Sequence, residues 1–440
     1  MKLDREEYAS RRSLFLAKMA VNSIAILPAA LSKIRNRDAE YAYRQDSDFY
    51  YLSGFHEPES VMILIPGRAE GAYVLFCRER DPAKEVWNGY RAGPEGACAN
   101  YGADQAFAIE KIDEILPALM DGRQRLYFTL GQQETFDHQL MAWMNNLRAK
   151  ARSGAQAPRE IVSCDDLLHE MRLFKSVAEI KLMKRAAEIS AQAHIRAMEK
   201  CRVGMMEYQL EAEFLHEFAR HGARQPAYST IVGGGANACI LHYIENDAPL
   251  EDGSLVLIDA GCELDHYASD ITRTFPVNGL FSEEQKAIYN LVLEAQLAAL
   301  AKVGPGHYWN EAQDTVVDVI TRGLVRLGIL HGEPETLIQH QAYLPFYMHR
   351  AGHWLGMDVH DVGQYKIEGQ WRALEVGMVL TVEPGIYIAK DNMDVEVKWR
   401  GIGVRIEDDV LVTESGHEVL TAQVPKTVTE IEALMLKKVV

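Results

Sequence analysis

Leu255-Val-Leu-Ile-Asp259-Ala-Gly is an apolar strand that ends on a carboxylate, and Asp270 stands just before a second β-prone run, Ile271-Thr-Arg-Thr-Phe275. Folded back as a hairpin, the two runs bring both aspartates together. In Val379-Leu-Thr-Val-Glu383 the strand period of two puts Val379, Thr381 and Glu383 on one face, and in Val404-Arg-Ile-Glu407 it pairs Arg405 with Glu407. Each strand delivers a carboxylate. Between them lies His349-Arg-Ala-Gly-His353-Trp-Leu-Gly-Met-Asp-Val-His360-Asp-Val-Gly363, dense in histidine and broken by glycines that permit close backbone approach.

Around this region the chain reads as two domains, 1–172 and 173–440. The first alternates short β-rich runs (Ser23 to Leu27, Val61 to Ile65, Ala72 to Cys77, Leu126 to Leu130) with helical periodicity, which predicts an α/β domain with a mixed sheet. Ser176 and Glu179 then form a capping box opening a helix to about Lys200. A helix from Glu207 to His221 closes on Gly222, and a second capping box, Ser282 to Gln285, opens a helix to about Val303. Two helices followed by strands, twice over, suggest an internal pseudo-repeat with a site at its seam. Strands are expected again over Val376 to Ile388 and Val404 to Val412, and a short amphipathic helix over Val428 to Val440.

With 48% hydrophobic and 25% charged residues among 440, the composition is that of a globular chain ordered nearly throughout. The 46 basic and 63 acidic side chains leave a net charge of −17, which gives no support for binding nucleic acid or anionic lipid. Six scattered cysteines form no Cys-x-x-Cys pair and read as buried free thiols, and the segment Met1 to Met19 reads as an amphipathic helix rather than a signal peptide. A cytoplasmic protein is expected. Gly-x-x-x-x-Gly-Lys, Gly-x-Ser-x-Gly and His-Glu-x-x-His are absent. His169-Glu170, His216-Glu217 and His417-Glu418 begin the last pattern without completing it and read as ordinary surface pairs, and Gly233-Gly-Gly235 reads as a tight turn.

Any one of the acids above is, alone, more readily a strand-end residue than a ligand. Four converging without compensation cannot all stay ionised, whereas two divalent cations would balance them. Oxygen-rich ligation with one histidine suits hard or borderline metals such as Mn²⁺, Co²⁺, Fe²⁺ or Zn²⁺, not a thiolate-bound structural zinc.

In order and local context, Asp259, Asp270, His353, Glu383 and Glu407 resemble the five metal ligands of the pita-bread metallopeptidases. Ile240-Leu-His242-Tyr-Ile-Glu-Asn, the His353 to Gly363 segment, Glu383-Pro-Gly-Ile-Tyr387 and Gly403-Val-Arg-Ile-Glu407-Asp-Asp are similar to bacterial Xaa-Pro aminopeptidase (aminopeptidase P), and Tyr43 to Phe55 resembles that family's first domain. The resemblance implies a creatinase-like first domain and an α+β pita-bread catalytic domain. It further implies release of the N-terminal residue from Xaa-Pro-Yaa peptides, two divalent metals with manganese first, and a homotetramer or homodimer.

The family pattern makes Asp270 and Glu407 bridging ligands, places Asp259 on one metal and His353 with Glu383 on the other, and casts Glu383 as the proton carrier. His242 and His360 are implied hydrogen-bond donors to substrate, with His349 a weaker candidate. Arg405, the one evident cation beside a ligand strand, and Tyr387 are placed at the proline pocket, with Trp87 as a further wall. The alternatives are prolidase acting on Xaa-Pro dipeptides and a non-catalytic pita-bread binding protein, the latter disfavoured because all five ligands are present.

Overall fold

The computed structural model describes residues 3–437. The chain packs as two units, Leu3–Met171 and a second from Arg172 onward. In the first, strands run in the order Gln105–Ala108, Tyr73–Cys77, Val61–Leu64, Ser23–Pro28, Arg125–Tyr127, Glu160–Val162. The sheet is mixed: Ser23–Pro28 pairs antiparallel with Val61–Leu64 and parallel with Arg125–Tyr127. Its apolar face, including Ile24, Ile63 and Phe76, packs against Leu116, Leu140 and Trp143 from helices Ile112–Met120 and Glu134–Ala149. The expected strand at Leu126 to Leu130 is shorter, ending at Tyr127. The N-terminal helix spans Arg5–Lys18 and buries Tyr8 and Phe15.

In the second unit both capping boxes form as read. Ser176 and Glu179 exchange side-chain and backbone hydrogen bonds to start Val177–Lys200, and Ser282 with Gln285 starts Glu283–Leu300. Gly222, at φ +90°, follows the helix Glu207–Arg220. The helix pair Val177–Lys200 and Glu207–Arg220 precedes an antiparallel sheet of Ile231–Gly234, Leu255–Asp259 and Thr272–Pro276. A second pair, Glu283–Leu300 and Trp309–Arg326, precedes a sheet of Val379–Val382, Asp408–Thr413 and Gly416–Val419. Helices then strands, twice, is the predicted pseudo-repeat. The C-terminal helix spans Val428–Leu436, and the part of that expectation beyond Lys437 lies outside the described residues.

A buried ionic latch joins the two sheets. Arg273, on Thr272–Pro276, donates to Asp408 on the other sheet at 2.7 Å, and both side chains are fully buried. Asp408 also accepts from Gln296, Thr421 and Lys426. Burial pushes its carboxyl up, but Arg273 and Lys426 outweigh that and hold it at about 2.

Two stretches fold differently from the expectation above. Gly233-Gly-Gly235 is not simply a turn: Gly233 and Gly234 are ladder residues opposite Leu257 and Val256, and only Gly235 takes a positive φ. A Cβ on Gly233 would lie 3.0 Å from the Asn237 carbonyl, so the glycine serves close packing against the following 3-10 turn. The His-Glu pairs are not all surface residues either. Glu217 is buried and pairs with His221 at 2.9 Å, and His169 lies 3.4 Å from Asp48 and 3.7 Å from Asp165. Only His417-Glu418 is exposed at both positions. All six cysteines are free thiols, four buried and two, Cys98 and Cys239, partly so.

Candidate metal centre and active site

Strand register gathers the acids. Asp259 ends its strand opposite Thr272, and the Thr272 carbonyl in turn accepts the Glu407 amide at 3.1 Å. Asp270, just before Thr272–Pro276, and Glu407, just before Asp408–Thr413, thereby meet. The segment carrying His353 lies along Val379–Val382: the Thr381 amide donates to the His353 carbonyl, and the His353 amide to the Thr381 hydroxyl at 3.0 Å. Gly352 makes this approach possible, since a Cβ there would sit 2.0 Å from the Thr381 carbonyl oxygen. Glu383 follows the same strand and accepts from the Thr381 hydroxyl at 3.3 Å.

His353 Nε2 is 3.4 Å from Asp270 and 3.5 Å from Glu383. Asp270, His353 and Glu407 each offer a ligand atom within 4.8 Å of the others. An oxygen-rich set with one imidazole fits a divalent cation of the hard-to-borderline class. The electrostatics agree. Burial first, then the charges of Asp270 and Glu383, push Glu407 well above the usual carboxylate range, and burial raises Glu383 to about 7 despite His353 nearby. Burial also raises Asp259 against the pull of Arg405, while for Asp270 the neighbouring His353 overcomes burial and lowers it. His353 goes the other way, pushed up to about 9 because its contacts with Asp270 and Glu383 override its burial. Protein groups alone leave too much negative charge in one place, which bound cations relieve.

Four supporting residues carry no sequence signal that the reading used. The Tyr228 hydroxyl contacts Asp259 at 2.6 Å and Asp270 at 2.5 Å, so its single proton is shared between two carboxylates. The Thr272 hydroxyl donates to Glu407 at 2.6 Å. Asp409 accepts the backbone amide of Asp270 with both oxygens at 3.2 Å. Gln313 accepts the Ala351 amide at 2.6 Å, at the base of the histidine segment.

Arg405 is held by three partners. Its Nη2 donates to Asp259 at 2.6 Å, Nη1 to the Tyr387 hydroxyl at 3.0 Å and Nε to the Thr272 hydroxyl at 3.1 Å. Tyr387 passes the chain on to His349 Nε2 at 2.8 Å, and His349 Nδ1–H donates to the Arg350 carbonyl at 2.7 Å. Burial and the nearby Arg405 lower His349 to about 4, so it stays neutral and both nitrogens are occupied. The His360 ring packs edge-on to His353 at 4.4 Å, and burial followed by the charge of His353 lowers its pKa.

A cavity of about 860 Å³ opens over these groups. All five expected ligands reach it, as do Arg405, His242, His349 and His360. One expected wall residue does not. Tyr387 is 1% exposed, lies behind Arg405 and His349 and is not part of the wall. Trp87 lies on helix Pro82–Asn88 of the first unit and is 86% exposed. The aromatic wall comes instead from Trp309, Tyr365 and Trp371, where Trp309 and Tyr365 pack with centroids 4.5 Å apart.

Residues 181–414 match the model of metallopeptidase family M24, and residues 8–127 match the N-terminal domain of aminopeptidase P. The Xaa-Pro aminopeptidase of Escherichia coli is 49% identical over 435 residues, which cover 99% of this chain and 98% of that one. Aminopeptidase PepP of Pseudomonas aeruginosa superposes with a TM-score of 0.99 at 64% identity, covering 99% of both chains. Zinc-substituted E. coli aminopeptidase P in complex with product superposes at 0.97 with 48% identity, covering 100% of this chain and 99% of that one.

Proposed function

The chain belongs to metallopeptidase family M24, and from that premise we propose how its residues release the N-terminal residue from peptides with proline in second position. The observation that carries the reading is the meeting of Asp259, Asp270, His353, Glu383 and Glu407 at one cavity floor, with Arg405 and Tyr228 bracing the first two acids. These five would hold the divalent cations. Bound there, the cations supply the Lewis acidity that lowers the pKa of a water and polarises the scissile carbonyl. Manganese is the first expectation.

Glu383, on the cavity floor beside the other ligand carboxylates, is the group placed to take a proton from the attacking water and return it to the proline nitrogen as that nitrogen leaves. His242 and His360, both exposed on the cavity wall, donate to the peptide. His349 has no nitrogen left to offer: it presents its ring and fixes the Tyr387 hydroxyl, which orients Arg405. Arg405 holds Asp259 in place and forms one edge of the proline site, whose ring fits a wall of aromatic faces. We also propose that the two units fold as separate domains, and that the chain forms a homotetramer or homodimer and works in the cytoplasm, readings carried by the family likeness. Among the described residues no helix is long and apolar enough to cross a membrane.

The test is direct. A strong chelator should abolish hydrolysis of an Xaa-Pro-Yaa peptide, Mn²⁺ or Co²⁺ should restore it, and replacing proline by alanine should remove most of it. Full activity in rigorously metal-free protein would sink the dinuclear assignment.

A further inference from the structure

Arg405 is not the only cation at the cavity. Arg350 and Lys366 also line it, and both are exposed there. Among the described residues neither has a carboxylate within ion-pair distance, in a chain whose net charge is −17 and whose surface cations, such as Arg322 and Arg326, commonly find one. Lys366 is not loose: its Nζ sits over the Trp371 ring, 4.3 Å from the centroid, and Trp371 is part of the same wall. Arg350 directly follows His349, whose ring lines the cavity while its Nδ1–H is tied to the Arg350 carbonyl. Two unpaired positive groups therefore face a space whose floor is acidic but would be neutralised by bound cations. Its volume of about 860 Å³ is near the upper end for a small-ligand site and leaves room beyond an Xaa-Pro unit.

We propose that Arg350 and Lys366 form a subsite that receives a carboxylate of the bound peptide lying outside the cleaved bond. This rests on the reading of the cavity as the Xaa-Pro-Yaa site and adds a charge preference to it. In short peptides the C-terminal carboxylate is such a group; in longer ones an acidic side chain takes its place. Arg405 is poorly placed for this, because bonds to Asp259, Tyr387 and Thr272 fix its guanidinium at the cavity floor beside the ligand carboxylates. The two cations are solvent-exposed, so the attraction is modest and screened by salt, worth about fivefold to tenfold in kcat/KM for the pair.

The experiment uses the metal-loaded full chain at low and high ionic strength. Ala-Pro-Ala as free acid is compared with its C-terminal amide. Two further arms separate the sources of the charge: Ala-Pro-Asp-amide against Ala-Pro-Asn-amide, and Asp-Pro-Ala-amide against Asn-Pro-Ala-amide. In at least one arm the acid should be favoured about fivefold to tenfold, mostly through KM, and the preference should shrink in high salt. The readout for the variants is the acid-to-neutral ratio, which a purely structural role would not move. It should fall toward one in Arg350→Gln and Lys366→Gln, collapse in the double variant, and survive in Lys366→Arg. Ratios below twofold in every arm, or a preference that persists in the double variant, overturn the subsite while leaving Xaa-Pro cleavage intact. If no Xaa-Pro-Yaa peptide is hydrolysed in any arm, the underlying reading fails and the subsite falls with it.

Discussion

Tyr228→Phe removes a single oxygen from the centre of the site and keeps the shape of the ring. In the wild-type chain that oxygen lies 2.6 Å from Asp259 and 2.5 Å from Asp270, so its proton restrains two carboxylates assigned to the metals. One proton makes one hydrogen bond at a time, and a bond to a charged acceptor is worth about 1.5–3 kcal/mol. Asp259 keeps Arg405 and Asp270 keeps its two-oxygen hold through Asp409, so the fold should survive. The loss should appear as freedom in the ligands. At about 1.4 kcal/mol per decade, it corresponds to a metal affinity weakened roughly 10- to 100-fold, the range expected for a partner that orients ligands. Competition against a chromophoric chelator measures that affinity, with activity followed at saturating Mn²⁺ in parallel. Much of the turnover should return once metal is in excess, because the hydroxyl orients ligands and does not transfer the proton. Affinity within twofold of wild type would refute the argument, and activity lost even at saturating metal would mean that the hydroxyl touches the reaction itself.

Three further outcomes are expected. Glu383→Gln keeps size and one ligand oxygen but loses the proton carrier, so kcat should drop by roughly 100-fold or more with thermal stability retained, and near-normal turnover would assign the proton elsewhere. His360→Ala should raise the barrier by about 2–4 kcal/mol, read as kcat/KM on an Xaa-Pro-Yaa peptide, if its imidazole donates to the developing oxyanion. His194 is fully buried and its pKa is lowered to about 3 by burial, its Nε2–H satisfied only by the Ala260 carbonyl at 3.0 Å. The unfolded chain takes up that proton first as pH falls below about 6.5, so stability is full above that value and drains away as pH drops toward 3. Between pH 7 and 5 this one group should cost about 2 kcal/mol in denaturant titrations, a slope that His194→Gln should flatten.

What could be read from the chain before folding divides by the range of the interactions involved. Capping boxes are local, and Ser176 with Glu179 and Ser282 with Gln285 form where the sequence places them. The four acids and one histidine now facing one cavity were legible because each sits at the end of, or beside, an apolar run with a distinct motif. Tyr228 was not, since nothing near Tyr228-Ser-Thr says that its hydroxyl will reach across to two other strands. Asp409 could have been suspected from the tandem acids after Glu407, but only the folded register aims it at the Asp270 amide. Depth is equally invisible in sequence. Tyr387 stands in a telling motif yet acts from behind the wall, and Gly233 resembles a turn residue while occupying a ladder position. Arg350 stands between two histidines with no motif to mark it, whereas Arg405, beside a ligand strand, is the cation already tied to Asp259, Tyr387 and Thr272.

The latch between Arg273 and Asp408 bears on the order in which the chain is made. Asp259, Asp270 and Arg273 leave the ribosome early, while Glu407 and Asp408 emerge only after the whole second pair of helices and its first strand. Until then Arg273 has no counter-ion and Asp270 no partner carboxylate from the other sheet. A nascent chain can thus hold two of the acids but not the enclosed site, and a cation met during translation would find a weak, open pair of aspartates. Closure of the last sheet brings Asp408 against Arg273 in the same movement that brings Glu407 against Thr272. On this order the complete ligand set would exist only in the finished polypeptide, once one late strand has docked.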